Sequence, residues 1–593
     1  MRIKWFSLVR VTGLLLVLFY HFFKAQFPGG FIGVDIFFTF SGFLITALVI
    51  DEYSRSKAFD LGGFLKRRFY RIVPPLVLMV LVTIPFTFFV KPDFVADIGK
   101  QAAAALGFTT NLYEIFTGSS YESQFIPHLF VHTWSLALEM HFYIIWALMV
   151  WLLSKRNLTP TKFRGMIFLI SSVLFGLGFL SMFVRAFCTD NLSLLYYSTV
   201  SHSFAFYLGA IFATMSGISE VTHRFQRNSQ LWSLYRVIAY MAGSFLLLLL
   251  LTFALDFNNI VTFLFGFVLA TLFAATMIYS ARVLHEKTPN AKEPLMITFF
   301  ADISYGLYLF HWPFYVIFSQ HLPNWLAVTL TMLFSILFST FSFYILEPFI
   351  AGKIPRVFDL DIDLKPYLKP LLGIGAALSI LLLIVSAVAP KLGQFESDLL
   401  VNSLKQSQNS LTRTNRVVAG DVDALSDVTI IGDSVALRSQ TAFQTIMPKA
   451  QLDAAVSRNF EEAFAIFDNQ VETGTLSSTV VIAVGVNSTG GYKAETQKYL
   501  KSLPKGHRLV FVTPYNAKDK RAVKAVRDYE VKLAKKYPYV EVADWYKAAV
   551  NHPEIWRGTD GVHYSDTSTE GADLYVKTVQ KAVEAVAKQA AKP

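Results

Sequence analysis

Apolar residues run almost unbroken for about twenty positions at a time over the first two thirds of the chain. Such runs lie near 7–23, 31–50, 73–90, 135–153, 165–184, 198–218, 234–254, 259–281, 298–320, 324–346 and 370–390. Each is close to the roughly 20 residues that a helix needs to span a bilayer. The pattern predicts a multi-span α-helical membrane domain with about eleven transmembrane helices. No small-residue cleavage site follows the first run; His21, Phe22, Phe23 and Lys24 do, so it reads as a retained anchor. A further apolar stretch at 94–112 reads as a helix lying along the interface. Residues 391–426 are polar and contain Asn402, Ser403, Ser407, Asn409 and Ser410, as expected of a linker.

From residue 427 the pattern changes. Asp427–Ile431, Thr479–Val484 and Arg508–Thr513 are short β-branched runs of buried-strand type, with Val540–Ala543 a fourth. Helical stretches at 519–537 and 570–590 alternate with them. Strand–helix alternation predicts an α/β domain built on a parallel sheet. The domain boundaries read from these changes are 1–350 for the main membrane domain and 351–390 for an inner loop and final span. A linker at 391–426 and the α/β domain at 427–593 follow.

Composition sharpens the picture. Of the 593 residues, 54% are hydrophobic and only 16% charged, against about 25% charged in soluble domains. A disordered chain, a coiled coil and an ordinary soluble enzyme are excluded. The net charge of +11 suggests nucleic acid only until it is divided along the chain. Residues 391–593 hold 26 basic and 23 acidic side chains, so the excess lies in the apolar part, which holds 27 and 19. With a cytoplasmic N-terminus, 23 of those 27 basic residues fall on the inner side and 4 on the outer, as the positive-inside rule requires. The expected protein is therefore a multi-pass cell-membrane protein. Its partner is the lipid bilayer and not nucleic acid, and an odd number of spans makes the C-terminal domain extracytoplasmic. The single cysteine, Cys188, allows no intrachain disulfide and no cysteine-based metal cluster.

The first strand of the α/β domain runs into Gly432-Asp433-Ser434. The carboxyl end of a parallel strand faces the crevice where such sheets bind ligands, and Ser434 there is a candidate nucleophile. Asp560-Gly-Val-His563 could supply a base with its orienting carboxylate. Asn487, after the second run, could donate to an oxyanion. Taken singly, these residues also read as a helix-capping Ser, a surface His in a turn and a capping Asn. Their order, each after a strand, resembles the SGNH hydrolase/transferase family over about 427–590. The family's second-block glycine would fall at Ser457, whose backbone N–H can serve as well. The resemblance implies catalysis by Ser434, His563 and Asp560, with Asn487 and Ser457 at the oxyanion hole and no metal.

The membrane half carries a signature of its own. Arg10 and His21 bracket the first run with ten residues between them, and Phe37–Ile45 contains Ser41 and Gly42. An inner loop reads Arg67-Arg68-Phe-Tyr-Arg71. His132-Thr-Trp-Ser-Leu-Ala-Leu-Glu139 opens the fourth run, and Ser304-Tyr-Gly-Leu-Tyr-Leu-Phe-His311-Trp-Pro313 lies in the ninth. These motifs resemble the acyltransferase family 3 membrane domain over about 5–350. Where many members carry Glu-Gln after the Glu, this chain has Met140-His141. The resemblance implies His21 as acetyl acceptor or base and a functional Glu139, which needs a partner such as Arg10, His21 or His132. Arg10, Arg67, Arg68 and Arg71 are candidates for binding acyl-CoA phosphates; the loop arginines read most simply as positive-inside anchors and could also bind lipid head groups. His311 reads as a packed or interfacial histidine.

The fusion of these two halves resembles bacterial peptidoglycan O-acetyltransferases. It implies transfer of acetyl from cytoplasmic acetyl-CoA to the C6 hydroxyl of N-acetylmuramic acid in the glycan strands. The transfer would run through an acetyl-Ser434 enzyme, with lysozyme resistance as the result. No permanently bound cofactor is expected. An acyltransferase for a capsule or teichoic acid, an acetyl esterase, and a transporter or scaffold without chemistry are the alternatives.

Overall fold

The computed structural model describes residues 3–117, 127–189, 191–357, 360–418, 427–487, 490–517, 520–556, 559–565 and 570–593. The chain divides into two compact units, Met1–Ala389 and Pro390–Pro593.

Each apolar run forms a helix in the N-terminal unit. They are α1 (Phe6–Phe22), α2 (Gly33–Ser56), α3 (Leu61–Thr83), α4 (Trp134–Ser154), α5 (Pro160–Arg185) and α6 (Phe204–Ser216). Then follow α7 (Leu234–Ala254), α8 (Phe267–Lys287), α9 (Leu295–Ser319), α10 (Asn324–Phe341) and α11 (Leu368–Val388). Among the described residues, eight helical segments are long and apolar enough to cross a membrane. The other three candidates differ for physical reasons. α1 and α6 have only 17 and 13 residues. α9 has the length, but Asp302, His311, Pro313 and three tyrosines lower its hydropathy. The stretch expected to lie along the interface forms two short helices, Ile98–Leu106 and Thr110–Thr117, and Gly99 of the first packs against Ser386 of α11.

Small residues set the closest helix crossing. A Cβ added at Gly42 of α2 would stand 1.9 Å from the Phe206 carbonyl oxygen, and one at Gly209 of α6 would stand 1.9 Å from that of Thr39. Only hydrogen at both positions lets the two backbones meet.

The C-terminal unit is built on five parallel strands: β1 (Val428–Gly432), β2 (Ala450–Ala454), β3 (Thr479–Ala483), β4 (Arg508–Val512) and β5 (Val540–Ala543). Their spatial order is β2-β1-β3-β4-β5. The chain crosses from one side of β1 to the other between β2 and β3, and ligands bind beyond the strand ends at such a switch point. Strand β3 is buried throughout, and β1 in all but its first residue. Edge strand β2, with the polar sequence Ala-Gln-Leu-Asp-Ala, is half-buried and has no hydrophobic signature.

The stretch read as a linker forms a helix, α12 (Gln394–Val418). Its positions 395, 399, 402 and 406 share one face by the helical period. Phe395 and Leu399 on that face are buried. Gln406 covers the last residue of the open edge of β2: its Oε1 accepts from the Ala454 N–H at 3.0 Å, and its Nε2 donates to the Ala454 carbonyl at 3.1 Å. An edge strand left with free backbone groups would otherwise invite pairing with another chain.

Candidate active site

In the C-terminal unit the site begins where β1 stops. The Asp433 N–H donates to the Ala483 carbonyl of β3 at 3.0 Å, which carries the chain across the switch point. The Asp433 carboxylate then caps the short helix Ser434–Arg438 by accepting from the Val435 N–H at 2.9 Å. A Cβ at Gly432 would come within 2.4 Å of the Ala436 Cβ, so this turn requires glycine.

Ser434 Oγ lies 2.8 Å from His563 Nε2, and His563 Nδ1 lies 2.7 Å from Asp560 Oδ2. The second Asp560 oxygen accepts from the Val562 and His563 N–H groups at 2.8 and 2.7 Å, a local loop that fixes the carboxylate against the ring. Burial alone would raise the Asp560 carboxyl. The His563 imidazole and these N–H donors outweigh burial and hold it below its ordinary value. An ionised Asp560 keeps the proton on Nδ1 and leaves the Nε2 lone pair facing Ser434. Both partners are almost wholly buried, Ser434 at 1% and His563 at 2% exposure.

Asn487 reaches the loop of Ser457 through the neighbouring Arg458. Ser457 has a φ of 61°, the left-handed region that glycine prefers. Arg458 anchors the loop by donating to the carbonyls of Gly432 and Asp453 and by pairing with the Asp453 carboxylate at 2.8 Å. Asn487 Nδ2 donates to the Arg458 carbonyl at 3.4 Å, which leaves its second amide hydrogen for another acceptor. The Asp433 carboxyl is pushed up to about 6, first by burial, with the Val435 N–H and the His563 charge opposing.

The sequence gives no hint of the roof of this site. The Phe395 ring of α12 packs against the His563 ring with centroids 4.7 Å apart. The Arg438 guanidinium stacks 4.8 Å from Phe395 and 5.6 Å from Tyr564. Asn402 of α12 donates to the Arg438 carbonyl at 3.4 Å.

The N-terminal unit holds two separate clusters. At one end, His21 Nδ1 lies 2.8 Å from His311 Nε2, with the rings stacked 5.0 Å apart and Trp312 4.6 Å from His21. His132 lies 5.9 Å from His311. Eleven residues along α1, about 16 Å by helix rise, Arg10 donates to Ser304 Oγ at 3.0 Å. Arg10 lines a cavity of about 960 Å³ together with Arg67, Arg68, Arg71 and Glu139. Lys353 and Arg356 line it too, although the sequence shows them only as loop charges.

Glu139 takes its hydrogen bonds from residues other than the histidines expected for it. It accepts hydrogen bonds from Ser41 and Tyr143, and Arg68 lies over the Tyr143 ring at 5.6 Å. His21 does not line the cavity. Between them stand Ser135, which lies 2.5 Å from Tyr308 Oη, and the Tyr308 ring, 5.7 Å from His311 and 5.8 Å from His132. His141 stands apart from both clusters, 3.1 Å from Thr199 Oγ1.

Comparison with known proteins adds a family. The pattern of a family described as an acyltransferase domain matches residues 3–347. The O-acetyltransferase OatA of Staphylococcus aureus is 27% identical over 613 aligned residues, which cover 96% of this chain and 95% of the relative. The peptidoglycan O-acetyltransferase OatA of Listeria monocytogenes is 24% identical, covering 96% of each chain. The solved C-terminal catalytic domain of Streptococcus pneumoniae peptidoglycan O-acetyltransferase A, with a methylsulfonyl adduct, is 41% identical. It covers 28% of this chain and 97% of that one, with a TM-score of 0.28.

Proposed function

The chain belongs to the acyltransferase-domain family, and on that premise we propose that it is an O-acetyltransferase acting on peptidoglycan. The similarity to an O-acetyltransferase and to a peptidoglycan O-acetyltransferase over nearly the whole length of each supports this reading. In it the N-terminus is cytoplasmic and the C-terminal unit extracytoplasmic. Acetyl-CoA is the donor. Its phosphates suit a cavity edged by Arg10, Arg67, Arg68 and Arg71, because guanidinium groups bind phosphate through paired hydrogen bonds. His21 takes part in passing the acetyl group onward.

The single observation that carries the reading is the hydrogen-bonded series Ser434–His563–Asp560. Ser434 Oγ attacks the acetyl carbonyl and gives its proton to His563 Nε2. Negative charge gathers on the carbonyl oxygen, where the Ser434 and Ser457 N–H groups and the Asn487 amide receive it. The donor leaves with that proton, and acetyl-Ser434 remains. His563 then takes the proton of the N-acetylmuramic acid C6 hydroxyl, whose oxygen attacks the ester and releases Ser434. The acetylated wall resists lysozyme.

Muropeptide mass spectrometry of a strain lacking this protein tests the reading. Loss of acetyl from muramic acid is expected, and Ser434→Ala should reproduce it at normal protein level. A gain in acetyl would instead identify an esterase. An unchanged wall with loss of acetyl from capsule or teichoic acid would move the acceptor to that polymer.

A further inference from the structure

Three histidines cluster at one end of the N-terminal unit, His21, His132 and His311; they differ in what they can do, and their partners decide how. Pro313 sits inside α9 and has no N–H, so the Leu309 carbonyl four residues earlier loses its helical donor. His132 Nε2 fills that place at 2.9 Å. A carbonyl only accepts, so His132 carries its proton on Nε2, and its buried Nδ1 has no hydrogen-bond partner among the described residues.

His311 follows the same logic one turn away. Its Nδ1 lies 2.7 Å from the Tyr308 carbonyl and 3.1 Å from that of Leu307. Two acceptors facing Nδ1 require the proton there. No carboxylate hydrogen-bonds to any of the three rings among the described residues, so no counter-charge compensates a second proton. The His311 Nε2 is then a lone pair. The 2.8 Å contact with His21 Nδ1 is a hydrogen bond only when His21 is the donor. His21, half-buried, is left with its lone pair on Nε2, to which no described group donates a hydrogen bond.

We propose that His311 is a positioning residue for acetyl transfer, accepting a hydrogen bond from His21 Nδ1 and so presenting His21 Nε2 as the reacting atom. His311 stands to His21 as Asp560 stands to His563, with an imidazole nitrogen fixed by backbone carbonyls in place of a carboxylate. The inference rests on the reading that His21 takes part in transfer. It explains why a histidine within a span precedes a proline: Pro313 exposes a carbonyl that sets His132, while the turn before it sets His311.

The test uses the full chain in lipid nanodiscs with radiolabelled acetyl-CoA and purified glycan fragments. His311→Gln places an acceptor oxygen near the position of Nε2. His311→Asn is shorter and leaves His21 Nδ1 without one. The expected result is a kcat reduced by roughly 30-fold or more in the Asn variant, in keeping with the loss of an oriented base. The Gln variant should stay within about fivefold of the parent, on the same footing. KM for acetyl-CoA should change in neither, because His311 does not line the arginine cavity. Equal rates in the two variants, whether both high or both low, would overturn the proposal. So would a defect confined to KM. His21→Ala distinguishes the two readings: parental transfer by that variant would sink the role of His21 itself, whatever His311 does.

Discussion

Ser457 holds a φ of 61°, where a side chain strains the backbone by about 1–2 kcal/mol. Its proposed contribution is a backbone N–H, which glycine also offers. Ser457→Gly should therefore retain transfer within about twofold and match or exceed the parent in thermal unfolding, the relief of strain being partly offset by glycine's greater entropy loss. Asp433 makes a pH prediction. Burial raises its carboxyl to about 6 in the folded chain, above the ordinary value near 3.9 of an exposed Asp. Between those values the folded state binds more proton than the unfolded one. Asp433 thus lowers stability as pH rises through this window, and the penalty is complete above about 6. Asp433→Asn, still able to cap the helix, should flatten the dependence of the melting temperature between pH 4 and 6. An unchanged slope would assign it to other groups. Ser434, Asp560 and His563 were legible in the chain because a strand end and an i, i+3 spacing are local facts. The partners of Glu139 and of His21 were not, since Ser41, Tyr143 and His311 reach them only through helix packing.

At the scale of elements, legibility followed hydrophobic contrast. β1, β3 and β4 are dense in Val and Ile and buried, and the sequence expectation meets them within a residue or two. β2 escaped because an edge strand is half-buried and needs little apolar character. α12 escaped for a related reason: few of its residues are apolar and buried, and the intervening polar residues read as a linker. Its packing can be tested directly. Leu399, 6% exposed, anchors the helix against the sheet domain, and Leu399→Ala should cost about 2–3 kcal/mol. The expected loss is a lower unfolding temperature for the C-terminal unit, measured in the full chain in detergent. No change would mean that α12 is dispensable to that unit's stability. Gln406→Ala is expected to act at the edge instead, raising self-association through the bared β2 ladder.

For the whole molecule, the charge sorting carries the orientation. Twenty-three of 27 basic residues in the apolar part face one side under a single arrangement, and that arrangement puts the loop after α5 outside. The chain has one cysteine, Cys188, in that loop, and it is free and exposed. A membrane-impermeant maleimide applied to intact cells should label it. Labelling only after the cells are opened would invert the proposed orientation and with it the compartment of Ser434. The helix at 394–418 also changes where the C-terminal unit can be cut away as a fragment. A cut at the first strand, residue 427, looks natural from the sheet alone. It would discard Phe395 and leave one face of the His563 ring open to water, the small nucleophile that competes with a sugar hydroxyl in the proposed reaction. Activity assayed on such a fragment would then overstate hydrolysis. A cut in the turn before Gln394 would keep the roof, and with it the proposed partition between water and glycan.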